Sequence, residues 1–212
     1  MKTAYKFALA AATVTASAVL VSCAMAPAGP SDAEISQRAV AMMKQDFAKA
    51  GPEWLARIDQ DETQALCTAS RDQPSPEIAR KIEAAQMATI QYPPPGKLIG
   101  DWKKGEAIAQ EGRGRQFSDA ADGPVGGNCY ACHQLSKEEV SYGTIGPPLY
   151  NFGKLRGFTP EMQRYAYAKV YNSEAFSACS SMPRFGHMSI LTEKQIKDVV
   201  ALLMDPQSPV NK

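Results

Sequence analysis

The sequence predicts an all-α protein. Several runs repeat apolar residues with the period of an α-helix, and most of them begin at a residue type that caps helices. No stretch of useful length alternates apolar and polar residues, as a half-buried strand would. Long segments rich in glycine and proline, such as 143–157, separate the helical runs. So much loop is unusual in a helical fold that packs without a further component in its core.

The first 26 residues predict an export signal. Lys2 and Lys6 form a positive start, and residues 7–21 are uncharged and too short to span a membrane comfortably. Two processing sites overlap after them. Residues 20–23 form a lipobox, in which Cys23 would be lipidated and become the mature N-terminus, whereas residues 24–26 form an A-x-A site that would remove Cys23. Both predict a periplasmic protein, and the lipobox adds a membrane anchor at Cys23.

Residues 27–95 predict a helical N-terminal extension. Ser31 or Asp32 can cap its first helix, and Ser75 followed by Pro76 begins its clearest helix. The predicted helical segments are 31–50, 52–58, 60–67 and a segment from 76 that ends before the prolines. The proline run 93–95 then separates this extension from a second domain at 96–212.

Three further helices are predicted in the second domain. Asp101 caps one that runs to about residue 110, and Thr159 with Pro160 begins another that runs to about residue 172. Thr192 and Gln195 form a capping box at the start of the most periodic helix. Its apolar positions follow the i, i+3, i+4, i+7 pattern, and they are Ile196, Val199, Val200 and Leu203.

The charge balance argues against one class of partner. The chain has 23 basic and 22 acidic side chains, for a net charge of +1. Nucleic-acid-binding domains generally show a basic excess, so we expect no nucleic-acid partner.

The chemistry-bearing motif is Cys129-Tyr130-Ala131-Cys132-His133. C-x-x-C-H is the attachment motif of c-type haem: the two thiols bond the porphyrin edge, and the next histidine then lies under the iron. A zinc site would need a second ligand pair, but the chain has only one other histidine, His187. A thioredoxin-like site would need a βαβ context, and a disulfide between residues three apart would be unusual. We therefore expect one covalently attached haem c, with His133 as an iron ligand.

Two further residues are candidates to complete the haem site. A ligand histidine normally donates its other ring N–H to a fixed acceptor. The carbonyl of Pro147, in a G-P-x-L sequence of the kind found in class I c-type cytochromes, is the predicted acceptor. Met182 is the predicted sixth ligand, because it lies in a loop ahead of the last helix; His187 and Met188 are rivals in the same loop.

Cys67 and Cys179 remain once Cys23 and the haem motif are assigned. An even pair in an oxidising compartment predicts a disulfide. The alternative is a reactive Cys179 thiol close to the haem.

Several segments of the chain resemble one known family. They are 61–67, 100–105, 126–135, 143–157, 167–187 and 191–211. Residues 181–186 (Ser-Met-Pro-Arg-Phe-Gly) and 205–211 are much more specific than C-x-x-C-H alone. On these segments the chain is similar to SoxX, the small monohaem cytochrome subunits of the SoxAX complexes of bacterial thiosulfate oxidation. The resemblance covers residue 60 to the end, and the segment 27–59 has no assigned counterpart.

The resemblance implies a class I cytochrome c fold with His/Met-ligated iron, and a heterodimer with a SoxA-like cytochrome subunit carrying one or two haems, in some cases with a small third subunit. Such complexes couple thiosulfate oxidatively to a cysteine of the SoxYZ carrier, as L-cysteine S-thiosulfotransferases. The catalytic cysteine belongs to SoxA, so no catalytic residue is expected in this chain. It would accept electrons from SoxA and pass them to a soluble cytochrome c.

Two other functions stay open from the residues alone: a free-standing periplasmic electron carrier, and a haem ligand sensor. For a subunit that docks on a partner, the loops 128–135 and 182–187 are the candidate contact segments. Arg184 and Phe185 are the residues of those loops that best suit an interface. The alternative for Phe185 is packing over the porphyrin.

Overall fold

A computed structural model of the protein describes residues 29–116, 118–120 and 122–212. Within these residues the structure is helical and contains no β-strand, and the all-α prediction is confirmed. None of the helices there is long and apolar enough to cross a membrane. The predicted export signal, with Cys23, lies outside the described residues.

The described residues form two compact units, 29–58 and Asp59–Lys212. In the first unit, helix α1 spans Asp32–Asp46 and the short α2 spans Pro52–Leu55. Ser31 caps α1 through a reciprocal capping box with Glu34: the Ser31 hydroxyl accepts from the Glu34 N–H at 3.3 Å, and the Glu34 carboxylate accepts from the Ser31 N–H at 2.8 Å. No residue of either helix is buried.

The second unit contains six α-helices among its described residues. They are α3 (Glu62–Ala69), α4 (Pro76–Ala88), α5 (Trp102–Gln110), α6 (Phe152–Arg156), α7 (Pro160–Tyr171) and α8 (Glu193–Met204). Single 3-10 turns occur at Cys129–Ala131, Ser173–Ala175 and Pro209–Asn211. The compact unit therefore includes α3 and α4, which precede the proline run where the sequence placed a domain boundary.

Helices α5 and α8 cross at a glycine. A Cβ on Gly105 would lie 2.1 Å from the carbonyl oxygen of Asp198 and 3.0 Å from the Cβ of Leu202, so only glycine permits this approach. The buried Asp198 carboxylate also accepts the N–H of Asp101, the residue that caps α5, at 2.8 Å. This crossing holds together two helices, α5 and α8, that are far apart in the chain.

The core extends from this crossing along α8 and α7. It consists of apolar side chains that are at most 7% exposed, among them Ala109, Leu135, Phe152, Ala166, Tyr167, Val170, Phe185, Leu191, Ile196, Val199, Val200, Leu202, Leu203 and Val210. The helical spacing of the apolar residues in α8 accounts for its buried face.

The end of α8 is held by side chains from the C-terminal segment. The buried Ser208 hydroxyl donates to the carbonyl of Leu202 at 2.6 Å, and the Asn211 amide donates to the carbonyl of Leu203 at 3.0 Å. The Asn211 amide oxygen accepts from the N–H of Gly153 at 2.9 Å, near the start of α6. One buried amide thus satisfies free backbone groups at the C-terminus of one helix and the N-terminus of another.

Candidate haem site

The C-x-x-C-H motif is attached to the end of α5. Backbone hydrogen bonds run from the N–H of Gly127 to the carbonyl of Ile108 at 2.9 Å and from the N–H of Asn128 to the carbonyl of Glu111 at 3.0 Å. Asn128 has a φ of 46°, in the left-handed region, and this turns the chain into the 3-10 turn that carries Cys129. The turn places the Cys129 carbonyl where it accepts from the N–H of His133 at 2.9 Å.

The two thiols of the motif form no disulfide with each other or with another described cysteine. Burial raises the pKa of the Cys129 thiol to about 12, so this sulfur is kept out of the thiolate form. Two free thiols three residues apart are available to form thioether bonds to a porphyrin edge.

Segment 143–149 holds His133. The N–H of Gly143 donates to the Tyr130 carbonyl at 2.9 Å, and the N–H of Gly146 donates to the Cys132 carbonyl at 2.9 Å. His133 Nδ1 lies 2.7 Å from the carbonyl oxygen of Pro147. Because a carbonyl can only accept, Nδ1 carries the proton, and Nε2 keeps its lone pair for a metal.

Gly146 makes the approach of His133 to this segment possible. A Cβ at Gly146 would lie 2.1 Å from Cε1 of the imidazole and 2.5 Å from Nδ1. The ring therefore lies against the bare backbone of Gly146 while its Nδ1 is held by the Pro147 carbonyl. This arrangement sets the direction in which Nε2 points.

Among the candidates for the opposite ligand, Met182 is the one that contacts the core. It is partly buried, and its backbone is fixed at both ends: the Ser173 hydroxyl donates to its carbonyl at 2.5 Å, and its N–H donates to the Ser180 hydroxyl at 3.2 Å. Met188 is 49% exposed. His187 is partly buried, and this burial, together with the nearby Arg184 charge, lowers its pKa.

Cys67 and Cys179 form a disulfide that joins α3 to the segment before Met182. Their Cα atoms are 5.4 Å apart, and Cys67 is buried. No free thiol remains at Cys179, so the reactive-thiol alternative does not describe this structure.

The expectation that Arg184 and Phe185 face a partner is wrong. Each is only 6% exposed. Phe185 belongs to the apolar core, and Arg184 makes an ion pair with Asp61 at 2.6 Å. The sequence predicts exposed side chains at both positions because they lie in a loop, and the residues that bury them lie far away in the chain.

The residues present fit a covalently bound haem. Two free thiols three residues apart, an imidazole whose Nε2 is available, and a thioether in a fixed loop form the donor set of a His/Met c-type haem. The close contact of Gly146 with the imidazole leaves this ring no space to move toward segment 143–149.

Comparison with known proteins identifies the class. Residues 103–205 match the cytochrome c family. The match begins in α5 and ends just after α8, so it contains the C-x-x-C-H motif, Pro147 and Met182. The chain therefore carries a cytochrome c domain of the all-α class I type, which binds haem c covalently and serves haem electron transfer.

The chain is also similar to an uncharacterized lipoprotein of Aquifex aeolicus (strain VF5). The two are 35% identical over 201 residues, which cover 92% of this chain and 95% of the relative. The chain belongs to one family with this protein, and the shared region includes the helices that precede the cytochrome c domain.

Proposed function

We propose that this protein is the electron-transfer subunit of a SoxAX-type complex in the periplasm, with one haem held by Cys129, Cys132, His133 and Met182. The observation that carries the electron-transfer role is the ligand arrangement. His133 is oriented by Pro147, and Met182 is held in a loop anchored to the core. A haem bound between them would exchange one electron between Fe(III) and Fe(II). If His133 and Met182 both bind the iron, no ligand site stays open on it, and such a haem would favour electron transfer over binding of an external ligand.

The step from electron carrier to thiosulfate oxidation is supported by the resemblance to SoxX. Two of its most specific segments have structural roles. Segment 181–186 carries Met182 and the buried Arg184, and segment 205–211 supplies the Ser208 and Asn211 side chains that close α8. In the proposed complex a SoxA-like subunit supplies the electrons and the catalytic cysteine, SoxYZ carries the substrate, and a soluble cytochrome c accepts the electrons.

A surface next to the haem motif is suited to contact with a redox partner. Val140 is 99% exposed and Ile145 is 77% exposed, and both lie in the segment that joins His133 to Pro147. Isolated exposed apolar residues are common, but Ile145 directly precedes Gly146, against which the imidazole lies, and Val140 lies in the same segment. We propose that this segment, rather than Arg184 and Phe185, docks on the partner.

The proposal places the chain on the periplasmic side of a membrane. The lipobox at residues 20–23 predicts lipidation of Cys23, and the relative from Aquifex aeolicus is named a lipoprotein. A lipid on Cys23 would anchor the protein without a spanning helix.

The function can be tested by reconstitution with a SoxA-like subunit and SoxYZ. We expect the chain to co-purify with the SoxA-like subunit and to be reduced when thiosulfate and SoxYZ are added. Val140→Asp should weaken the complex, whereas Leu155→Asp, at another strongly exposed apolar side chain outside the 133–147 segment, should not. A stable monomer that neither binds the subunit nor is reduced would support a free-standing carrier instead.

A further inference from the structure

The loop that carries Met182 is tied to helices α3 and α4 by a disulfide and by hydrogen bonds. The disulfide joins Cys67 on α3 to Cys179. On α4, the Glu83 carboxylate accepts the N–H of Ala178 at 3.3 Å. We call residues 172–184 the ligand segment, because Met182 lies near its end.

A buried polar cluster continues this attachment. Its side chains, each at most 7% exposed, are Thr63, Gln86, Asn172, Glu174 and Arg184. The Gln86 amide donates to the Thr63 hydroxyl at 2.8 Å and so connects α3 with α4. The Gln86 amide oxygen accepts from Asn172 at 2.8 Å and from Arg184 at 3.3 Å, both in the ligand segment.

Arg184 links this cluster to α4 and to the residue that caps α3. Its guanidinium donates to Gln86 on α4 and to Asp61, the residue that caps α3, at 2.6 Å. It also lies 3.9 Å from the buried carboxylate of Glu174, whose Oε2 has no hydrogen-bond partner among the described residues. A planar guanidinium can hold several acceptors in fixed directions at once, which the single ammonium of lysine cannot do.

The position of Arg184 relative to Met182 gives these contacts a consequence. Only Pro183 separates the two residues, so fixing the guanidinium on α3 and α4 fixes the backbone just beyond Met182. On the other side, the Ser173 hydroxyl holds the Met182 carbonyl, and Ser173 is adjacent to Asn172 and Glu174 in the cluster. The methionine is therefore held between two parts of one buried network.

We propose that Arg184 is a positioning residue for Met182: by binding Asp61 and Gln86 it holds the ligand segment against α3 and α4, and so limits how often the methionine leaves the iron. This inference rests on the proposed assignment of Met182 as the sixth ligand. It gives α3 and α4, which precede the cytochrome c match at residues 103–205, a role in the haem site.

The test measures opening of the ligand loop in the folded, haem-loaded full chain. Imidazole is added to the oxidised protein at neutral pH, and its rate of binding to the iron reports how often Met182 is displaced, in a local opening that needs no global unfolding. Arg184→Met should bind imidazole roughly tenfold to a hundredfold faster than the wild type, since it leaves the Glu174 and Asp61 carboxylates without their cation. Arg184→Lys should bind imidazole at an intermediate rate, because lysine keeps the positive charge but lacks the planar guanidinium that binds several acceptors at once.

Two further variants make the result specific. Asp61→Asn removes the ion pair with Arg184 but keeps a residue that can cap α3, so it should raise the imidazole rate to a smaller extent. Lys81→Met removes the exposed ion pair of Lys81 with Glu62, which also joins α4 to α3 but does not reach the ligand segment, and it should leave the rate unchanged.

The proposal is overturned if Arg184→Met binds imidazole within about twofold of the wild-type rate, a difference smaller than half a kcal/mol. If Arg184→Met does not incorporate haem, the Asp61→Asn variant is the test. The proposal is then overturned if Asp61→Asn binds imidazole at the wild-type rate. Failure of the ligand assignment itself looks different. Met182→Ala would then retain the near-infrared sulfur-to-iron band of the oxidised protein, and the role of Arg184 would fall together with the assignment.

Discussion

Removal of the Cys67–Cys179 disulfide should lower the free energy of unfolding of the second unit by several kcal/mol. The bridge joins residues separated by 112 positions. A cross-link that closes a loop of that length removes chain entropy from the unfolded state, with a stabilisation of about 4.8 kcal/mol at 25 °C. Measured values for native disulfides are commonly about 2–5 kcal/mol, so we expect a loss in this range.

The variant that tests this prediction replaces both cysteines by alanine. Cys179 has a φ of 57°, in the left-handed region, and alanine at this position meets the same backbone restriction as cysteine does. The main additional change is the loss of the buried sulfur of Cys67. The comparison therefore reports mostly the cross-link.

Guanidinium unfolding of the haem-loaded protein, followed by far-ultraviolet circular dichroism, gives the magnitude. The midpoint of the double alanine variant should fall and should not respond to a reductant, whereas the wild type treated with the same reductant should approach the variant. A loss below about 1 kcal/mol would refute the reasoning, because it would mean that the unfolded chain gains little freedom when the 112-position loop opens.

Two other predictions concern the haem motif and the leader. Gly146→Ala should lower the free energy of unfolding by about 1–3 kcal/mol, because the new Cβ would lie 2.1 Å from the His133 ring and must displace it. The control is Gly29→Ala, whose Cβ would have no described neighbour within 4 Å. Equal effects of the two substitutions would contradict this account. Cys23→Ser should abolish the incorporation of a labelled fatty acid into the protein expressed in a bacterium; a wild-type protein that incorporates no label would show that the A-x-A site is used instead.

Most of the helices among the described residues could be predicted from local signals. Ser75, Asp101, Thr159 and Thr192 each cap a helix through a side-chain oxygen, as their residue types indicate. Each of these caps depends on residues within three positions of the helix start. Such contacts can be read from the sequence because they do not require the tertiary fold.

Helix α6 was missed, and its stabilisation explains why. It spans only Phe152–Arg156, within a segment that reads as loop, and its N-cap residue Asn151 makes no capping hydrogen bond. The N–H of Gly153, in its first turn, instead donates to the side chain of Asn211, which lies 58 residues later in the chain. A helix that is stabilised from such a distance leaves no local pattern to recognise.

The error at Arg184 has the same origin and clarifies what the residue does. An arginine in a loop is usually exposed, and its partners Asp61 and Gln86 precede it by 123 and 98 positions. Burying a cation with acceptors costs desolvation that an apolar side chain of similar size would avoid. A buried arginine is therefore poorly explained as a device for global stability. The directional contacts of Arg184 with Asp61 and Gln86 explain it better, in keeping with the proposal that they hold Met182, two residues away, in place.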